Sequence, residues 1–174
     1  MDITKEWRLM YINYGLKEAQ SRFLKNLEQK QNSLDIVASL SELVIWINIS
    51  DEWHFRNNKK GYKKRKLDSI GGKYIEGLRY ASNSIKHEMS FIKLIRPIGH
   101  KSFIEGHYQV EDYSTDSIWV NLDKLIPNRA DYIEGRKNYQ TYIEGKTVVE
   151  TINQACSFLY GEYTKLKNSQ LESI

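Results

Sequence analysis

Apolar residues recur at steps of three and four along most of this 174-residue chain, and only two prolines interrupt the pattern. This spacing is typical of helices that bury one face, because one helical turn takes 3.6 residues. The pattern covers residues 3–30, about 33–49, 74–92 and 146–166. We therefore predict one mainly α domain, 1–174, folded as an antiparallel bundle of about four main helices with the second helix at its centre.

One segment departs from the helical pattern. Between about residues 100 and 122, β-forming residues such as Phe103 and Trp119 are separated by a glycine and a turn-like polar cluster. We predict a β-hairpin inserted before the last helices. His100 and His107 lie there, but their spacing matches no metal site, so we predict neither a metal nor a cofactor.

The clearest shift in composition is the segment 56–66, RNNKKGYKKRK. We predict a basic loop, because like charges this dense repel one another and resist burial. It could serve only as a mobile connector, or it could bind RNA, with Tyr62 stacking on a base and the cations neutralising the backbone. The two interpretations are compatible. The candidate phosphate-binding residues are Lys59, Lys60, Tyr62, Lys63, Lys64, Arg65 and Lys66.

A single cysteine, Cys156, excludes an internal disulfide and fits a reducing cytosol. It lies among apolar residues at helical spacing, which predicts a buried thiol rather than a nucleophile. The N-terminus MDITKEWRL lacks the apolar stretch of a signal peptide, and no run approaches the ~20 apolar residues of a membrane span. We predict a cytoplasmic protein without a membrane partner.

The predicted helix from Tyr74 to Ile92 carries a regular polar line. Its apolar residues form one face, while Arg79, Asn83 and His87 follow one another at four-residue steps on the other. Such a line is often only a solvated surface. A cation, an amide and an imidazole in one line on a helix could also bind a phosphate or an acidic partner.

The words GLRYASNSIKHE in this helix resemble the signature helix of the HEPN-like superfamily, the all-helical domains named for nucleotide binding in higher eukaryotes and prokaryotes. The family motif is an Arg, four to six residues, then a His, often with an Asn directly after the Arg. His87 matches the His and Asn83 the Asn, but Ser82 occupies the Arg position. Arg79 lies one turn earlier, with seven residues between it and His87, so the motif is degenerate.

The resemblance implies a homodimer in which two motif helices form one composite site. Active HEPN-like members cleave RNA without a metal. By that resemblance His87 is the general acid or base, Asn83 orients the phosphate or the imidazole, and Arg79 replaces the missing arginine. Because Ser82 removes a group that stabilises the phosphoryl charge, we expect weak activity or none.

Two functions from different classes therefore stay open. One is a non-catalytic or weakly active HEPN-like domain associated with RNA or a nucleotide. The alternative is a metal-independent endoribonuclease of a toxin or phage-defence system that uses His87, Asn83 and Arg79, with a cognate protein as a candidate partner. If Arg79 pairs with Glu76 or Glu88, the enzyme hypothesis weakens. A helical scaffold without any nucleic-acid role is a third alternative.

Overall fold

The structure is a computed structural model, and it describes residues 3–29, 33–57, 59–88, 95–96, 117–124 and 133–171. Helices form most of this part of the chain: α1 (Ile3–Glu28), α2 (Ser33–Asn57), α3 (Lys59–Asp68), α4 (Ile70–Glu88), α5 (Ile133–Tyr142) and α6 (Val148–Leu171). Four of them, α1, α2, α4 and α6, are 19 to 26 residues long. The predicted mainly α bundle of four main helices is confirmed.

Two short strands accompany the helices. β1 (Ile95–Arg96) pairs antiparallel with β2 (Ile118–Trp119), and a 3₁₀ turn follows at Leu122–Lys124. The hairpin predicted over about 100–122 is not confirmed: residues 97–116, which include His100 and His107, lie outside the described part, and the described partner of β2 precedes the predicted range.

The described residues of the segment 56–66, which are 56, 57 and 59–66, are helical, so the prediction of a loop there is wrong. Arg56 and Asn57 end α2, and residues 59–66 belong to α3. Tyr62 and Lys66 lie four residues apart, so they share one face of α3, and both are buried against the bundle. Partners on other helices neutralise the charges on that face, as the next section describes.

Among the described residues, a larger share is buried in α4 than in α2, the helix predicted to be central, although α2 also packs against four helices. The neighbours of α4 are α2, α3, α5 and α6. A Cβ atom at Gly72 would collide with the Lys66 carbonyl oxygen, and one at Gly77 would collide with the Ile143 side chain. The absence of side chains at these two positions therefore lets α3 and α5 approach α4 closely.

The apolar core lies between the long helices and extends to β2. Trp119 is fully buried, and its indole nitrogen donates to the Thr151 hydroxyl at 2.7 Å. Cys156 is also fully buried, and burial raises the pKa of its thiol to about 12, as expected for the predicted structural cysteine. The largest aliphatic and aromatic contributions from the helices include Leu16, Phe23, Leu40, Leu43, Ile47, Leu78, Tyr139 and Leu159. In the described ranges no helix combines the length and apolarity needed to cross a membrane.

Candidate functional site

A carboxylate with no solvent exposure lies near the C-terminal end of α2. Asp51 accepts hydrogen bonds from the ammonium group of Lys66 on α3, at 2.7 and 2.9 Å, and from the guanidinium group of Arg79 on α4, at 2.5 and 3.0 Å. The Tyr62 hydroxyl donates to it at 2.6 Å. Burial acts to raise the pKa of Asp51, but the nearby charges of Lys66 and Arg79 outweigh it and lower that pKa below its ordinary value.

Glu76 of α4 completes this network. Its carboxylate lies 2.7 Å from the Lys66 ammonium group, whose side chain is only 5% exposed. Two carboxylates, Asp51 and Glu76, thus face two cations, Lys66 and Arg79. The network carries no net charge, which is the condition under which charges are tolerated inside a protein.

A second buried carboxylate ties α3 to α6. Arg65 donates to Glu162 through Nε at 2.8 Å and through Nη2 at 2.5 Å, and Lys165 donates to it at 2.9 Å. The Glu162 side chain is 2% exposed. Burial acts to raise its pKa, but the hydrogen bonds from Arg65 and Lys165 outweigh it and lower that pKa.

His54 lies between the two carboxylates. Its ring stacks on Tyr62, with centroids 5.6 Å apart, and meets Trp53 edge to face at 5.4 Å. The residue is 2% exposed, and its Nδ1 has no hydrogen-bond partner among the described residues. Burial lowers the pKa of His54 to about 4, so the imidazole is neutral at pH 7.

Neither Asp51 nor His54 was a candidate in the sequence. Their signal was present, since Ile47, Asp51 and His54 follow one another at steps of four and three and thus continue the face that Leu43 and Ile47 bury. A charged residue on a buried helical face is uncommon unless it is paired. That rule would have marked Asp51 as a buried charge in need of a partner, but it does not say which residues supply the partner.

A cleft of about 360 Å³ opens beside the Asp51 network, between α2, α3, α4 and α5. Three cations and two carboxylates line it, together with one amide and two apolar side chains. With Asp51 beneath its floor the positive and negative charges are equal in number. The lining residues are Phe55, Lys63, Lys66, Leu67, Glu76, Arg79, Glu134 and Asn138.

The motif helix α4 buries the face predicted for it, including Tyr74, Leu78 and Ala81. Arg79 is about one third exposed and lies at the cleft, but it contacts Asp51 rather than standing on a solvated surface. Asn83 is half-buried.

His87 lies in the last turn of α4, and its side chain is outside the described part of the structure. Ser82, which occupies the motif's arginine position, is 1% exposed, and its hydroxyl has no hydrogen-bond partner among the described residues. That position therefore faces the protein interior. The structure places Arg79, but not Ser82, where a ligand could reach it.

The predicted phosphate-binding set separates into three groups. Lys63 and Lys64 are exposed on α3, and the side chains of Lys59 and Lys60 lie outside the described part. Placing the remaining three on a solvated loop was wrong. Tyr62 is 1% exposed, which prevents its ring from stacking on a base, Lys66 is buried beside Asp51 and Glu76, and Arg65 contacts Glu162.

The homodimer implied by the resemblance would use α4, which is largely covered by helices of its own chain. From Gly71 to Ile85 it is buried except along one half-buried polar line. That line consists of Lys73, Glu76, Arg79 and Asn83. Dimerisation through α4 stays a prediction.

Comparison with known proteins gave no relative: no family model matches the chain, and no curated protein or solved structure matches it. The resemblance to HEPN-like domains therefore rests on the motif helix. Within the described residues, no group of three or more His, Cys, Asp or Glu side chains is placed to hold a metal ion.

Proposed function

We propose that this protein is a HEPN-like domain that binds RNA or a nucleotide through its phosphates and does not cleave the bound chain. The contact between Arg79 and Asp51 is the observation that carries this proposal. By the HEPN-like resemblance, Arg79 is the cation that would have to stabilise the phosphoryl oxygens. In this protein its guanidinium group is bound to the buried carboxylate of Asp51.

The Asp51 contact argues against catalysis on energetic grounds. If Arg79 turned to a phosphate, Asp51 would lose one of its two cationic partners while still buried, and an undercompensated buried charge costs several kcal/mol. Keeping both contacts would place the Asp51 carboxylate directly behind the cation and weaken its field at the phosphate. Ser82 cannot supply a replacement charge, because it is a neutral side chain facing the interior.

Phosphate binding is supported by the exposed face of α3. Lys63 and Lys64 are exposed, and Lys63 also lines the cleft next to Arg79. Lys63 and Lys64 are not members of the Asp51 network, so their charges are not neutralised within it. Lysines of this kind bind phosphates without reading sequence, by releasing the counterions of the nucleic acid.

Binding can be measured by fluorescence anisotropy with a labelled mixed-sequence single-stranded RNA of about ten nucleotides, with unlabelled nucleoside monophosphate as a competitor. We expect Lys63→Glu combined with Lys64→Glu to weaken RNA binding at least about tenfold and to reduce the slope of log K against log salt by about 1.4, the value for two phosphate contacts on a single strand.

The matched control for this pair is Lys5→Glu combined with Lys25→Glu, which makes the same change in net charge at exposed positions on α1, a helix whose main contacts are with α2 and α6. It should weaken binding by less than about twofold if the site is on α3, because salt largely screens exposed charges beyond ~10 Å. If both double variants lose the same amount of RNA affinity, binding depends on the overall charge of the protein and not on a site on α3. If neither double variant changes RNA binding, the helical scaffold without a nucleic-acid role is favoured.

The endoribonuclease alternative is tested by incubating the same RNA with concentrated protein in excess EDTA. We expect no cleavage by the wild-type protein. Cleavage that disappears in both His87→Ala and Arg79→Ala would instead establish a metal-independent ribonuclease. Because Arg79 contacts Asp51, the thermal unfolding of Arg79→Ala must be measured beside the assay, so that lost activity is not confused with lost folding.

A further inference from the structure

One face of α1 is apolar although it points to solvent. Its residues recur at steps of three and four, and the rings of Trp7 and Tyr11 stack with centroids 6.0 Å apart. The members and their exposed fractions are Trp7 at 51%, Met10 at 47%, Tyr11 at 64% and Tyr14 at 64%. We refer to these four residues as the α1 aromatic face.

The α1 aromatic face is additional to the face by which α1 joins the bundle. On the bundle side, Leu9 and Leu16 are buried in the same stretch of helix. Farther along α1, the solvent side is polar, and Arg22 there contacts Glu42 of α2. Single exposed hydrophobic residues are normal, but a contiguous set of large ones is typical of an interaction surface.

The charges beside the α1 aromatic face identify what it fits. Glu6 and Lys17 are both exposed and lie eleven residues apart, which is about three helical turns. They therefore lie along the same edge of the face, one at each end, with opposite charges. A second α1 running antiparallel, with the two-fold axis between Tyr11 and Ile12, would place Glu6 of each copy opposite Lys17 of the other.

We propose that the α1 aromatic face packs against the same face of a second copy of this chain, in an antiparallel arrangement with two Glu6–Lys17 pairs between the copies. A parallel arrangement would instead place the Glu6 and Lys17 side chains of the two copies on opposite edges of the interface, so it would form no Glu6–Lys17 pair. Lys17 also lies 5.6 Å from the centre of the Tyr160 ring of its own chain, which holds its ammonium group near this edge.

The area of the α1 aromatic face sets the expected strength. Large aromatic side chains bury roughly 150–250 Å² each when fully covered, and here about half of each is still exposed. Two copies would bury on the order of 900 Å² through these residues, below the 1,200 Å² or more of stable complexes. We therefore expect a reversible dimer in the micromolar range. The interface differs from the α4 pairing that the family resemblance implies.

Sedimentation velocity of the full chain between 1 and 100 µM tests the dimer. We expect the wild-type protein to shift from monomer to dimer over this range, and Tyr11→Glu to remain monomeric at 100 µM. Ile133→Glu is the matched control, because Ile133 is 75% exposed but lies on α5, and it should dimerise like the wild type. A wild-type protein that is monomeric at 100 µM would overturn the proposal.

Charge reversal tests the orientation and the identity of the partner. Glu6→Lys alone and Lys17→Glu alone should each weaken the dimer about tenfold, because they oppose like charges across the interface. The double variant should recover the wild-type dissociation constant within about threefold. If the double variant is as weak as the single ones, the antiparallel packing is wrong.

An α4 dimer is the competing result. In that case Tyr11→Glu would leave the dimer intact while Asn83→Arg would disrupt it. RNA binding by the α3 lysines does not enter this test, so the dimer and the proposed function can fail independently.

Discussion

The two halves of α2 are buried by different means. The first half buries aliphatic side chains and the hydroxyl of Ser39, and its ion pair with α1, Glu42 with Arg22, lies at the surface. The second half buries Asp51 and His54, and the carboxylate of Asp51 forms its ion pairs inside the protein. The buried aliphatic residues of the first half are Ile36, Leu40, Leu43 and Val44.

The difference follows from what each half packs against. α1 presents a regular apolar face to the first half. α3 is short and strongly basic, and its sequence KKGYKKRKLD offers few apolar side chains to bury. It is therefore held to α2, α4 and α6 by Tyr62, Arg65 and Lys66, each of which donates to a buried carboxylate. Hydrophobic burial tolerates small losses, whereas a buried charge network depends on every partner.

The largest effect should come from removing the centre of the network. Asp51→Ala leaves the Lys66 ammonium group buried with only Glu76 as its partner, and we expect it to lower the free energy of unfolding by about 3–5 kcal/mol. Leu43→Ala, in the other half of α2, should lower it by about 2–5 kcal/mol through a cavity. Urea unfolding followed by circular dichroism measures both.

Asp51→Asn separates charge from shape in the same experiment. It keeps the side-chain volume and an oxygen for the Tyr62 hydroxyl but removes the negative charge, so it should retain most of the loss seen in Asp51→Ala. A loss below about 1 kcal/mol for both variants would mean that charge does not hold the second half of α2.

How much of this comparison was predictable also differs between the two halves. The periodicity of apolar residues was enough to predict the four long helices and the buried face of α4. It could not predict the Asp51 network, because Asp51, Tyr62, Lys66 and Arg79 come from three helices and a charged residue is by default assigned to the surface. The segment RNNKKGYKKRK was predicted as a loop for the same reason, since the carboxylates that compensate Arg65 and Lys66 lie on other helices.

Local sequence is also insufficient to predict the structure of the tetrapeptide YIEG, which occurs at residues 74–77, 132–135 and 142–145. In Tyr74–Gly77 the word lies in the middle of α4, and its glycine contacts Ile143 closely. In Tyr142–Gly145 it ends α5, and Gly145 adopts a φ of 71° that favours glycine. Ile143 belongs to this second word. Two copies of the same tetrapeptide thus contact each other while adopting different conformations. Packing against the rest of the protein determines the conformation of each copy.

A second, smaller loss should follow when one donor is removed from the network. Tyr62→Phe deletes the hydroxyl that donates to Asp51 and leaves the ring stacked on His54. We expect the free energy of unfolding to fall by about 1.5–3 kcal/mol, the range for hydrogen bonds to a charged group. Tyr11→Phe is the control, because Tyr11 is 64% exposed, and it should change stability by less than about 0.5 kcal/mol. Equal effects of the two substitutions would contradict the role of the buried hydroxyl.

The pH dependence of stability should be set by His54 in mildly acidic solution. Its pKa is lowered to about 4 in the folded protein, against about 6.5 when unfolded. Between these values the unfolded chain binds one more proton than the folded one, so stability falls as the pH falls. The expected loss from pH 7 to pH 5 is about 2 kcal/mol. Asp51 and Glu162, whose pKa values are lowered, add a further loss below about pH 4.5.

His54→Phe tests this assignment, because it keeps an aromatic ring beside Tyr62 and removes the titration. Urea unfolding at pH 7, 6 and 5 should give a nearly constant free energy for this variant and a declining one for the wild type. A decline of the same size in both would assign the pH dependence to groups other than His54.

The smallest effect, and the sharpest test of the comparison, comes from two arginines with the same geometry. Arg22 contacts Glu42, and Arg65 contacts Glu162, each through Nε and Nη2. The carboxylate side chains differ in exposure, 40% for Glu42 and 2% for Glu162. Arg22→Ala should lower the free energy of unfolding by less than about 1 kcal/mol, because water solvates the remaining charge.

Arg65→Ala should cost about 1.5–3 kcal/mol, because Glu162 stays buried and retains only Lys165 as a cationic partner among the described residues. Both substitutions remove the same side chain and the same pair of hydrogen bonds, so the difference between them measures the burial of the carboxylate. If the two losses are equal, burial does not separate these ion pairs, and the distinction between the two ways of holding helices together fails for this protein.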